Sequence, residues 1–388
     1  MRLRRGNTRS SLQKRKTHIS TINNDVIFNE KTTSSILKYI YYGNNNTYPN
    51  DVKKSIERSP TAKGCVHLKK DYTFGLGVEG ADDIVVNRDG LTLNEVIETA
   101  VSNYSMFQGY VLHFNFNVFG EIIEIQNVPF EFVRKHKDLT SAFYGTFDGG
   151  FGKKDLEFPL YNSENFKKEV KEKGGIKKHF GQLYYFKNNG HIYPLSNIHA
   201  SFMSVKFEDS LQTFNYANIE NGFSGSGILQ IPHFNDDDEK VDEYEEKVKQ
   251  MKGSKNAGSI IVISSPADLD GKANTGKLYE SFSLPSVDKL YTNQERNAKI
   301  NILEEFMAPE ILLGVSNDGM FNQESFLDAS DYYNKKTEAD RQIIEKSINK
   351  FWEKTIFSKE LKEIKINPLE IDDARRNSTN NLSGSPEG

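Results

Sequence analysis

The chain has 388 residues, enough for two or three packed units of about 100–200 residues each. Hydrophobic residues make up 36% and charged residues 27%, too apolar for wholesale disorder yet polar enough for a heavily solvated or shared surface. A net charge of −4 excludes a globally basic nucleic-acid binder, and the single cysteine, Cys65, excludes an intrachain disulfide or a Cys-built zinc site.

In chain order, the first eighteen residues hold Arg2, Arg4, Arg5, Arg9, Lys14, Arg15 and Lys16 with no acidic residue. They read equally as a solubilising tail and as an arm for phosphate or an acidic neighbour. Residues 1–30 lack apolar periodicity and are expected to be a flexible arm. No apolar run of about 18 residues occurs and no apolar h-region follows the basic start, so a soluble, non-secreted chain in a reducing compartment is expected. Asp51–Lys70 has helical spacing interrupted at Pro60, predicting a broken helix or two short ones.

From Leu91 to Met106, the residues Leu93, Val96, Ile97, Ala100, Val101 and Tyr104 fall on one stripe and predict an amphipathic helix. After Gly109 the period changes to two. Tyr110–Gly120 and Glu121–Val128 read as a hairpin hinged at Gly120. Residues 137–180 combine paired glycines with Lys-rich polar spacers, a loop-rich excursion with strands of uncertain register. Gln182–Phe186 predicts a further strand, and a helix is expected from about Ser196 to Glu220.

Asn218–Gly314 holds the most distinctive order of elements. A helix ends at Asn221-Gly222 and a short strand follows to Ile231. Next, the carboxylates after Asn235 suit the positive N-terminal end of a helix carrying Val241, Tyr244, Val248 and Met251. Gly253–Gly258 turns the chain into the strand Ser259–Ser264, completing a small α/β module. A polar loop, Pro266–Lys277, leads to a helix over Ser286–Met307 that Pro309 stops. Beyond the loop Val315–Asn322, a long helix is predicted to about Lys354, with Phe326, Ser330, Tyr333, Thr337, Ile344, Ser347 and Phe351 inward.

Asn221-Gly222-Phe223 with Gly227-Ile228-Leu229, Asn256-Ala257-Gly258 before a hydrophobic strand, and Phe306-Met307-Ala308-Pro309 with Leu312-Leu313-Gly314 and Asn322 resemble the portal proteins of tailed bacteriophages, from about Val101 to Trp352. The resemblance implies an α+β, portal-like fold: an α/β wing, long stem helices flanking a small α/β clip, and a long C-terminal helix. Carried onto this chain, 1–30 is the arm, 31–198 the wing, 199–222 and 285–308 the stem helices, 223–284 the clip, 309–322 the tunnel-loop region, 323–356 a long wing or crown helix, and 357–388 a short crown or disordered tail. It further implies a ring, typically of twelve subunits, at one capsid vertex. Double-stranded DNA would be packaged and ejected through it. Expected partners are the terminase large subunit, the major capsid protein and neck or tail adaptors, in a virion assembled in the host cytoplasm. No membrane, cofactor, metal or catalytic residue is implied.

In this reading Val315, Ser316, Asn317, Asp318, Gly319, Met320, Phe321 and Asn322 line the channel, and Ser316, Asn317 and Asp318 are polar and not cationic, which suits a moving duplex because tight phosphate pairing would hold it. Asp236, Asp237, Asp238, Glu239, Asp242, Glu243, Lys272 and Lys277 are clip residues for a docking partner. Two features mimic active sites. Gly271–Lys277 approaches a phosphate-binding loop and supports a rival reading, a nucleotide-binding enzyme; Leu278 stands where Ser or Thr must hold magnesium, and Pro285 interrupts the required helix. The acidic run through Glu246 lacks the spacing of a calcium loop, so a solvated helix start explains it. Another capsid or adaptor ring protein is the third reading. His113, in an alternating strand, reads as a surface or satisfied interior histidine, and Gly225-Ser226-Gly227 as a turn.

Overall fold

The computed structural model describes residues 38–147, 155–189, 192–220, 227–233, 260–266, 279–281, 287–314 and 323–369. Its first elements are α1 (Tyr48–Arg58) and α2 (Pro60–Phe74). The break expected at Pro60 is there. Ser59 is extended and buried, and its hydroxyl accepts the Ala62 N–H at 3.1 Å, while Pro60 occupies the first turn, where a missing N–H costs nothing.

The short strand β1 (Gly77–Val78) precedes α3 (Leu93–Phe107). A reciprocal capping box starts α3: Thr92 Oγ1 accepts the Glu95 N–H at 3.3 Å, and a Glu95 carboxylate oxygen accepts the Thr92 N–H at 2.7 Å. The six stripe residues read from the sequence are all buried. The hairpin follows as β2 (Gly109–Phe116) and β3 (Ile122–Val128). Gly120 turns it at φ +89°, a region costly for L side chains, and its missing Cβ leaves room for the Phe166 ring 3.1 Å away.

The loop-rich excursion contains more structure than its composition suggests. The strands β4 (Val133–Lys135), β5 (Ser141–Tyr144) and β6 (Leu156–Pro159) form an antiparallel sheet, and α4 (Phe166–Glu172) is a single short helix. Strands this short carry too few alternations to show a period. β7 (Gln182–Lys187) then pairs antiparallel with β2, giving the main sheet the order β3-β2-β7.

The next helix, α5 (Phe202–Glu220), starts six residues after the position expected from the sequence. The residues before it are tied into turns: Ser196 donates its N–H to Tyr48 Oη at 3.1 Å and its hydroxyl to the Met106 carbonyl at 2.5 Å, and Asn197 donates to the Ser105 carbonyl at 2.8 Å. Such side-chain bonds compete with helix formation. Three strands follow, β8 (Gly227–His233), β9 (Ile260–Pro266) and β10 (Tyr279–Ser281), in a sheet of order β10-β8-β9. β8 and β9 pair in parallel, which requires a crossover between them. The helix expected in that crossover lies outside the described residues.

α6 (Val287–Phe306) and the long α7 (Gln323–Trp352) come next. Past α7 the chain folds back: β11 (Ile366–Asn367) pairs with β1, and Trp352 donates its indole N–H to the Leu361 carbonyl at 2.7 Å. Two cores result. One joins α3, alternate β2 residues Tyr110, Leu112 and Phe114, and Ile344, Ile348, Phe351 and Trp352 of α7. The other joins α1 and α2 to Val111 on the opposite face of β2, to Val205 of α5, and to Ile302, Leu303 and Phe306 of α6.

Candidate functional site

The element order singled out in the sequence becomes a helix pair with a small sheet inserted between its members. Asn301 of α6 donates to Ser204 of α5 at 3.1 Å, and the Tyr291 and Phe214 rings lie 5.6 Å apart. One helix is ascended as the other is descended, so they run antiparallel, in contact over about 15 Å at 1.5 Å per residue. Their body-proximal ends are anchored. Phe202, Val205, Ile302, Leu303 and Phe306 are buried in the core built on α1 and α2.

Polar contacts fix the same root. Glu208 of α5 accepts the Ser59 hydroxyl, the Thr61 hydroxyl at 2.8 Å and the Thr61 N–H at 3.4 Å. This places a carboxylate at the positive N-terminal end of α2. Away from the root the pair is bare: Tyr216 and Ile219 of α5 are each 61% exposed.

α6 ends in a left-handed cap. Met307 adopts φ +50°, its N–H reaches the Glu304 carbonyl at 3.0 Å, and the Ala308 N–H reaches back to Leu303 at 3.0 Å. After Pro309 a single 3-10 turn, Glu310–Leu313, is clamped by Lys299, whose Nζ lies 2.7 Å from Glu310 Oε1. Leu312 and Leu313 pack on the core, and Gly64 of α2 leaves the space that Leu313 uses, since a Cβ there would lie 3.3 Å from its Cδ2.

The start of α7 is tied to the same base. Tyr72 of α2 donates to Ser330 Oγ at 2.8 Å and meets the Tyr333 ring edge-on at 5.1 Å. Arg341 donates to the Tyr72 carbonyl at 2.6 Å. The described residues on either side of 315–322 are therefore both fixed on α2.

The candidate residues read from the sequence, the basic arm 2–16, the clip residues 236–243 with Lys272 and Lys277, and the channel segment 315–322, lie outside the described residues. So does the phosphate-loop mimic 271–277. His113 is half-buried in β2 and its Nε2 lies 2.7 Å from the Phe180 carbonyl, so it is a hydrogen-bonded histidine at the edge of the interior. Cys65 is buried and reduced, and burial pushes its thiol up to about 12. Among the described residues, no group of three or more His, Cys, Asp or Glu is placed to hold a metal, and no helix is long and apolar enough to cross a membrane. The residues that anchor the helix pair, Glu208, Ser204, Lys299 and Glu310, were not singled out in the sequence. Their partners are distant in the chain or in other elements, and no local spacing marks them.

No protein-family model and no curated protein matches this chain. Among solved structures, 86% of it aligns with 88% of a chain from the neck of a native gene transfer agent particle computed with C12 symmetry, at 14% identity and a TM-score of 0.51. A chain of the native gene transfer agent virion aligns over 86% of this chain and 87% of its own, at 14% identity and a TM-score of 0.50. The chain has the fold of these particle chains. The α+β class that the resemblance implied is the one found. An HK97-family phage portal protein from Corynebacterium diphtheriae aligns over 87% of the chain and 98% of its own, at 10% identity and a TM-score of 0.41; the fold assignment rests on the two particle chains alone.

Proposed function

We propose that this chain is the portal-type subunit of a phage-like particle, assembling into a ring through which double-stranded DNA passes. The observation that carries this reading is the antiparallel α5–α6 pair, rooted in the body core and holding the β10-β8-β9 sheet between its members, in a chain that shares its fold with a particle-neck chain. In this reading α5 and α6 are the stem, residues 223–284 the clip that docks the packaging motor and later the neck proteins, and residues 315–322 the channel-facing loop. The C12 symmetry belongs to the neighbour's neck; a ring of about that order is the expectation for this chain.

The bare outer faces of the stem fit a subunit that completes its burial by association, because large exposed apolar side chains gathered on one element mark contact surfaces. The test is electron microscopy of the purified full chain. Closed rings with a central channel wide enough for a duplex support the proposal; a uniform population of monomers across salt and concentration counts decisively against it. Motor docking is tested separately, by binding of a terminase large subunit to rings whose Asp236, Asp237, Asp238 and Glu239 are changed to Asn or Gln. Unaltered binding would remove the acidic run from the docking surface.

A further inference from the structure

A dense run of basic residues lies outside the stem and the channel segment. Lys167, Lys168, Lys171, Lys173, Lys177 and Lys178 fall within one turn-rich stretch, opposed there only by Glu164, Glu169 and Glu172. All but Lys173, which is half-buried, are exposed. The six lysines outnumber these three carboxylates, although Asp138 and Glu157 line the same cleft as Lys168 and Lys173. Glu169 faces inward, accepting from Gln182 Nε2 at 2.8 Å and lying 3.1 Å from His179 Nε2, while Glu172 reaches only Lys168, at 3.9 Å.

The stretch is fastened to the body. Phe166 is buried, with its ring 4.7 Å from Phe116 and 5.2 Å from His179. Glu169 ties α4 to Gln182 at the start of β7. Holding six like charges within one short stretch on an anchored base costs electrostatic free energy that a counter-charged partner returns.

We propose that Lys167–Lys178 is a sequence-independent phosphate-binding surface for double-stranded DNA, separate from the channel. The residue types favour DNA over an acidic protein. Protein interfaces are depleted in Lys and enriched in Arg, whose fork pairs bidentately with carboxylates, and this stretch has six Lys and no Arg. Ammonium groups are hydrated point charges that neutralise phosphates without reading bases. The inference goes beyond the ring reading and stands on the charge and anchoring of the patch alone.

The experiment measures binding of the full chain to a fluorescent duplex by anisotropy across a salt series. The variant carries Lys167→Gln, Lys171→Gln, Lys177→Gln and Lys178→Gln. Each phosphate contact contributes about 0.9 to the slope of log affinity against log salt. Losing four lysines is expected to flatten the slope by about 3.6 and weaken binding at low salt at least tenfold, and the matching Lys→Arg variant is expected to restore both. The same comparison in a chain with Arg2, Arg4, Arg5 and Arg9 changed to Gln separates the patch from the arm. A flattening below about 2 in both backgrounds, or no duplex binding by the unaltered chain at low salt, overturns the proposal. Circular dichroism checks folding. Imaging of the Gln variant tells a lost DNA surface from a lost ring.

Discussion

At the residue scale, the most heavily committed buried charge is Arg134, 1% exposed in β4. Its guanidinium donates to Asn46 Oδ1 at 2.5 Å, the Asn46 carbonyl at 2.8 Å, and the carbonyls of Glu131 and Val133, each at 2.9 Å. It also lies over the rings of Tyr42 and Phe147, 5.6 and 4.9 Å from their centroids. Desolvation of the charge is offset by this satisfied fork. Arg134→Met removes a donor from four acceptors, of which Asn46 Oδ1 keeps the Tyr42 N–H at 3.1 Å, and is expected to cost about 3 kcal/mol, read as a lower urea midpoint at constant m. Arg134→Lys should recover little, because one ammonium cannot span that geometry. A loss below about 1 kcal/mol would show that segment 38–46 is held to β4 by other contacts.

Two histidines set the acid side of stability. Burial holds the pKa of His113 and of His199 below the usual histidine value; for His113 it outweighs the hydrogen bond to the Phe180 carbonyl, and His199 Nδ1 lies 3.0 Å from Tyr48 Oη. Tyr48 Oη already accepts the Ser196 N–H, so it is set to donate to His199. Between the depressed folded value and about 6.5 the unfolded chain binds more protons, so stability rises with pH there. Glu124 works further down. The Arg88 side chain, with Nε at 3.0 Å and a terminal nitrogen at 2.9 Å, holds its carboxyl at about 2, so its contribution is complete above the usual carboxylate value and lost as pH falls toward 2. Unfolding midpoints should be level near pH 7, below the depressed Lys135 value of about 8, and fall from about pH 6.5 downward. His199→Gln should shrink the upper part of that fall and leave the lower part intact.

At the scale of elements, helix ends decide how the chain is routed. Met307 holds the left-handed position that ends α6, where L side chains pay about 1–2 kcal/mol, and it is half-exposed with little packing to lose. Met307→Gly is expected to raise stability by roughly 1 kcal/mol and leave assembly unchanged. Destabilisation by that change would mean that the thioether packs against something the single chain does not show. Gly181 is the opposite case: at φ +90°, a Cβ would run into the Phe114 carbonyl and the His113 ring, so side chains other than hydrogen have no place at the entry to β7.

At the scale of the whole molecule, the α5–α6 pair stands on a well-packed root and bears exposed apolar side chains away from it. If these faces meet neighbouring subunits, a charge placed there should block association and spare the fold. Ile219→Asp is expected to shift the purified chain from rings to monomers in light scattering, with a thermal midpoint equal to that of unaltered monomer. Rings of unchanged size would place Ile219 outside any subunit contact. The lysine surface on α4 belongs to the same scale, since its use depends on which face of the assembly DNA can reach.

The sequence by itself determined the elements with enough length to show a period: α3 with its stripe, the β2–β3 hairpin at Gly120, the break at Pro60, and the long helices on either side of the β8–β10 insert. Their registers are local, written in residues three, four or two apart. It determined the portal-like resemblance as well, through short motifs at helix ends and strand starts. Tertiary structure alone decided the rest. Ser196 and Asn197 spend their polar groups on Tyr48 and on carbonyls of α3, which delays the start of α5. The short strands β4, β5 and β6 exist because they pair, and Arg134 is buried because Asn46, far away in the chain, meets it. The six lysines of residues 167–178 could be counted from the sequence, but only the anchoring of Phe166 and the diversion of Glu169 toward β7 turn that count into a fixed basic surface. Contacts between residues distant in sequence leave no period behind them, and those contacts decide which surfaces this chain presents.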